Sequence, residues 1–200
     1  MANNFVNSFA SIVTAGENYQ SDASDSTTGP QSVYRAYDGS SGVNSILVEL
    51  DASNTGTSGI TLTSFIQDTS ATLGTISSVV SASDVATVTT ASAHGLKVGQ
   101  YVHVTGSSTN YVNGLYKVAS VPSTTTFTYA QNSSAADGTA AGTIVIYKSY
   151  HIVRDAPIPA GATLKVVAGQ KIVLNSNDRV YAYASAGTCD VIAGVLQDVT

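Results

Sequence analysis

The chain predicts an all-β protein: a small antiparallel β-sandwich of jelly-roll type, interrupted by an inserted small β-barrel domain and preceded by an extended amino-terminal arm. Three observations carry this. Short runs of alternating apolar and polar residues recur along most of the 200 residues, a period of two that turns one face of a strand toward a core. Gly, Pro, Asn, Asp and Ser cluster between the runs, where turns need their φ angles and side-chain acceptors. The middle of the chain carries a complete strand-and-turn signature of its own, between two flanking parts that read as one module.

Residues 1–30 form the arm. Phe5, Phe9, Ile12 and Val13 recur at a spacing that would share one helical face, on a segment too short and polar to make a stable isolated helix. The segment reads as an apolar patch that becomes ordered against a neighbouring protein, with Phe5, Phe9 and Ile12 as contact residues. A frayed terminus carrying chance apolar residues is the alternative.

The sandwich domain is discontinuous, 31–75 and 144–200. In its first part Ser32-Val33-Tyr34 enters a strand. Ile46, Val48 and Leu50 then alternate with Leu47 and Glu49, and Ile60, Leu62, Ser64 and Ile66 with Thr61, Thr63 and Phe65. The turn-rich segment from Asn54 to Gly59 joins these two runs as a hairpin. The inserted module, 76–143, contains strands at Val85–Thr90, Tyr101–Thr105, Leu115–Val121 and Thr125–Ala130, with turns at His94-Gly95, Asn113-Gly114 and Pro122-Ser123. The Ala/Ser/Gly tract from Gln131 to Gly142 leads back to the host, as expected of a guest inserted at a loop tip.

The last quarter predicts a meander of five runs, Tyr150–Val153, Ala162–Val167, Gln170–Leu174, Asp178–Ala184 and Asp190–Leu196. Pro157, Pro159 and Gly161 force an extended passage into a turn, because proline fixes φ and removes a ladder donor. Tyr181 and Tyr183 share one face of their strand and Val180, Ala182 and Ala184 the other. The two tyrosines are therefore candidates for self-association, beside Ile144–Val153 and Asp190–Val199, which read as edge strands short of charge.

Composition excludes several functions. Only 10% of residues are charged, against about 25% in an ordinary globular chain, and the eight Lys plus Arg are scattered through a chain of net charge −5. No basic stripe exists to neutralise phosphates, so direct nucleic-acid binding is not expected. No apolar run is long enough to span a membrane, and MANNFVNSF lacks the charged and apolar regions of a signal peptide, which implies synthesis in a cytoplasm without targeting. Cys189 stands alone, so no intrachain disulfide forms, and it reads as a small buried hydrophobe.

No catalytic, cofactor-binding or metal-binding residues emerge, and the chain reads as a non-enzyme. His94, His103 and His151 have no second ligand at metal-binding spacing. His94 reads as a turn residue, and the other two as strand residues on solvent or interface faces. Asp178 reads as a turn residue and Asp190 as a strand entry, with no paired-carboxylate arrangement. No nucleophile elbow, phosphate loop or zinc motif occurs. Tyr111 in TNYVNGLY is the one candidate aromatic platform for a sugar, against its simpler role beside a hairpin turn at Asn113-Gly114.

Two stretches carry a resemblance. The series from HIVRDAPIPAG through GQKIVL to CDVIAGVL, with MANNF and NSILVELDASNTGTSGITLTSFIQD at the front, resembles a small β-sandwich module common among virion structural proteins of tailed bacteriophages. The series AHGLKVGQYVHVTG…NGLYKVASV…TTFTY is similar to a β-barrel-like insert that recurs in phage structural proteins. The resemblance implies a capsid decoration (cement) protein on the virion surface that binds the major capsid protein and neighbouring copies of itself, grouped as trimers. A neck, tail or baseplate component is a second reading within that class. A carbohydrate- or receptor-binding module is a reading outside it.

Overall fold

The computed structural model describes residues 4–12, 19–20, 29–36, 44–109, 112–131 and 137–199. Among them the protein is all-β and antiparallel, without an α-helix. The strands are β1 (Asn4–Ile12), β2 (Tyr19–Gln20), β3 (Gln31–Arg35), β4 (Asn44–Asn54), β5 (Ile60–Thr72), β6 (Ile76–Ala82), β7 (Val85–Thr90) and β8 (Tyr101–Ser107). They continue with β9 (Gly114–Ser123), β10 (Thr126–Ala130), β11 (Gly138–Thr139), β12 (Gly142–Ile158), β13 (Thr163–Leu174), β14 (Arg179–Ala184) and β15 (Cys189–Val199).

Two compact units divide the chain. The first comprises residues 1–16, 27–69 and 151–200, the second 17–26 and 70–150. The division follows the apolar residues. One buried cluster draws Leu47, Leu50, Leu62, Ile158, Leu174, Val180, Val191 and Val195 from the first unit alone. The other draws Val79, Val88, Val104, Tyr116, Phe127, Tyr129 and Ile146 from the second alone. The long strands β5 and β12 run from one unit into the other.

The first unit holds a four-stranded sheet in the order β1-β15-β4-β13, and a second sheet in which β3, β14, β5 and the end of β12 are neighbours. Between them lies the first apolar cluster, in the manner of a sandwich. Three expectations are corrected here. The expected hairpin of β4 and β5 does not form: β4 pairs with β13 and β15, whereas β5 pairs with β14. The carboxyl-terminal runs do not make a meander either, because β12, β13, β14 and β15 alternate between the two sheets. The two runs placed between Ala162 and Leu174 are one bulged strand, β13. Alternation shows that a strand has one core face, but a hairpin and a crossover to the facing sheet satisfy that pattern equally well.

Asn54 holds the crossover from β4 to β5. Its buried amide nitrogen donates to the carbonyls of Ser58 (2.8 Å), Ile158 (3.1 Å) and Pro159 (3.1 Å), while its oxygen accepts from the Gly56 amide (2.9 Å) and the Thr188 hydroxyl (3.3 Å). Asp178 does the same work at the start of β14. Its carboxylate accepts from the Thr69 amide and hydroxyl, both at 2.9 Å, and from the Asn175 amide at 2.9 Å.

The predicted arm, 1–30, is corrected where it is described; residues 1–3, 13–18 and 21–28 of it, Val13 among them, lie outside the described residues. Asn4–Ile12 is a strand paired along its full nine residues with β15. Val6, Ala10 and Ile12 face the core, and the Ser8 hydroxyl donates to the Val33 carbonyl at 2.6 Å. The spacing that suggested a helical face also satisfies a period of two, and the partner strand decides between them. In consequence β15 is internal, as is β12, and the true edges of the four-stranded sheet are β1 and β13.

In the second unit the order is β12-β8-β9-β10-β7-β6-β11, with β2 beside β9. The predicted barrel is corrected to an open sheet: closure requires the end strands to pair, and the two-residue β11 pairs with β6. Bulges within the β9–β10, β6–β7 and β8–β12 pairs allow such strands to bend. The sheet packs its apolar face around Tyr116 and Tyr129, whose rings stack 4.2 Å apart. Burial and the neighbouring Tyr116 raise the Tyr129 phenol well above its ordinary pKa.

Candidate assembly surface

The outer face of the four-stranded sheet is built from cross-strand rows, because residues opposite one another in an antiparallel ladder project on the same side. At one end Phe5, Leu196, Ile46 and Val173 stand in register across all four strands. The next row is Asn7, Gly194, Glu49 and Ala168, and the third is Phe9, Ile192, Asp51 and Lys165. The fourth, Ser11, Asp190, Ser53 and Thr163, is polar: Ser11 donates to Asp190 at 2.6 Å, and the Ser53 and Thr163 hydroxyls lie 2.9 Å apart.

The first and third rows leave large apolar side chains in solvent. Phe5 is 73% exposed, Phe9 68%, Val173 57% and Ile192 41%. Gly194 lies between the two phenylalanine rows, and the Glu49 and Val48 side chains pack over it, so that an added Cβ would come within 3.3 Å of the Glu49 Cβ. Beside the apolar band the Lys165 ammonium reaches Asp51 at 3.1 Å and Glu49 at 3.4 Å. Hydrogen bonds to Asp51 and then Glu49 raise the Lys165 pKa. All three charges are close to solvent, and such a cluster sets orientation more than affinity.

The predicted contact residues separate. Phe5 and Phe9 lie on this face, whereas Ile12 is in the core. Tyr181 and Tyr183 are not presented for self-association: both are buried, Tyr181 stacking on Phe65 at 5.6 Å. Their strand β14 is buried on both faces, Val180, Ala182 and Ala184 on one and Tyr181 and Tyr183 on the other. Sequence reading missed Ile46, Val173, Ile192 and Leu196. The signal was available in their alternation with the inward-facing Leu47, Leu174, Val191 and Val195.

The polar candidates have structural roles. His94 is buried, its Nδ1 accepting from the Leu96 amide at 3.0 Å and its ring meeting Phe127 edge-on. Gly95, at φ 67°, carries the left-handed conformation of this turn. A pocket of about 400 Å³ lies beside it, lined by Ala93, Leu96, Val121, Ser123 and Thr124, without a carboxylate to orient the imidazole. His103 and His151 are half-buried beside Tyr147 and Phe65 respectively, rather than on open faces. No group of three His, Cys, Asp or Glu suited to a metal ion occurs among the described residues. Tyr111 lies outside them, while Asn113 is engaged with the Ser107 backbone in both directions. Cys189 is buried, and burial followed by the nearby Asp190 pushes its thiol up to about 11.

No helix among the described residues is long and apolar enough to cross a membrane. No protein-family model matches the chain, and no curated protein matches it in sequence.

Proposed function

We propose that the protein is a non-enzymatic structural component of a tailed-bacteriophage particle, a capsid decoration protein that binds the major capsid lattice and stabilises the head. The observation that carries this reading is the apolar row of Phe5, Leu196, Ile46 and Val173 across an outer sheet face, with Phe9 and Ile192 beside it. The resemblance of the two modules to phage structural proteins supplies the class of partner.

Magnitudes favour a lattice over a single partner. Covering Phe5, Phe9, Ile192 and Val173 would remove on the order of 400 Å² of apolar surface, roughly 10 kcal/mol gross at about 25 cal/mol per Å². Association itself costs about 4–15 kcal/mol, so one such contact is marginal. A face of this size holds firmly when several contacts act together, as between subunits already placed by symmetry.

Quantitative mass spectrometry of purified particles tests the reading. Hundreds of copies per particle place the protein in the capsid lattice. Six to a few tens place it in the neck, tail or baseplate, and absence from the particle overturns the proposal.

A further inference from the structure

We propose that β1 is the seam of a two-fold dimer, in which its free edge pairs antiparallel with β1 of a second copy, centred on Asn7. The inference deepens the assembly reading by naming the partner at this edge, and it is testable without any phage component.

The first argument is the state of the edges. A strand with a free side presents about half of its N–H and C=O groups outward, a template that natural proteins normally guard. The opposite edge, β13, is guarded: it is bulged twice and carries Lys165 and Lys171. β3 is five residues long and ends in Arg35, and β11 has two residues. β1 has nine residues, Asn-Phe-Val-Asn-Ser-Phe-Ala-Ser-Ile, with no charge, no proline and an unbroken register with β15. Among the described residues it is the long unguarded edge, and it pairs only with β15.

The second argument identifies the occupant. On the outer face β1 reads Phe5, Asn7, Phe9, a pattern that is the same in both directions. Antiparallel pairing about Asn7 sets residue i opposite residue 14 − i. Phe5 then meets the second copy's Phe9 and Phe9 its Phe5, giving two aromatic cross-strand pairs, and Asn7 meets Asn7, whose amide is both donor and acceptor. Such self-complementarity is what an isologous interface requires. Eight strands would form one sheet, with Leu196, Phe5, the opposing Phe9 and its Ile192 in a continuous apolar band. This is a two-fold arrangement, unlike the trimer that the resemblance implies.

Sedimentation velocity of the full chain, from about 1 to 100 μM, tests the proposal, since an interface below about 1,200 Å² associates weakly. A monomer–dimer equilibrium is expected. Asn7→Asp sets two carboxylates face to face and should weaken the dimer at least about tenfold at neutral pH. Asn7→Lys should do the same, and an equimolar mixture of the two variants should recover the dimer as a heterodimer, with thermal unfolding of each variant checking its fold. A monomer at every concentration overturns the proposal, and so does a dimer indifferent to Asn7→Asp, or two charged variants that do not rescue each other. A chain that stays monomeric yet is abundant in particles would overturn this inference while leaving the capsid reading standing.

Discussion

At the scale of single residues, the fold depends on a few buried polar groups that close its crossovers. Asn54 is engaged with five partners across three loops. Asn54→Ala would leave buried carbonyls without donors and should cost about 2–4 kcal/mol in urea unfolding; a change below about 0.5 kcal/mol would contradict the role. Cys189 makes a pH prediction. Its folded pKa, about 11, stands above the ordinary thiol value of 9.0, so the folded state holds its proton longer. The resulting stability is fully present below pH 9 and is lost as pH rises through 11. Cys189→Ala should flatten that part of the stability profile, and the native thiol should resist a disulfide reagent at pH 8 until the protein unfolds. An unchanged alkaline slope would contradict the assignment.

At the scale of elements, the sequence was most legible where strands pair with their chain neighbours. Val85–Thr90 was located to the residue, and the strands beginning near Tyr101, Leu115 and Thr125 to within a few residues. The turns of β6–β7, β8–β9 and β9–β10 lie between partners in one sheet. In the carboxyl-terminal quarter the strands were recognisable but their partners were not, since Val180, Ala182 and Ala184 face the same core whether β14 pairs with β13 or with β5. For the candidate surface, Phe5 and Phe9 stood out as large apolars in a polar segment, but their strand conformation depends on β15, far away in sequence. Two predictions follow from these elements. Gly106, at φ 79° in β8, would bring an added Cβ into collision with the Thr143 carbonyl of β12. Gly106→Ala should therefore destabilise the second unit by more than about 3 kcal/mol, seen as loss of amide protection in β8 and β12 and contradicted by wild-type protection. In a dilute monomer, about half of the β1 amides should be protected through β15. Uniformly rapid exchange across Asn4–Ile12 would instead restore the idea of an arm ordered only by a partner.

For the whole molecule, two separate cores explain how one chain carries a guest within a host. No described residue between 70 and 150 contributes to the first cluster. Replacing Ile76–Thr143 by a short Gly/Ser linker should accordingly leave a cooperatively unfolding first unit, and an insoluble product would show that the cores depend on each other. The proposed function belongs to this scale too, since it assigns the activity to an exposed sheet face and to no pocket. Co-sedimentation with heads prepared without this protein tests that assignment most directly, using a Phe5→Glu, Val173→Glu double variant whose fold is verified by unchanged thermal unfolding. The account predicts that the native protein sediments with the heads and that the double variant stays in the supernatant; equal binding of the two would contradict it.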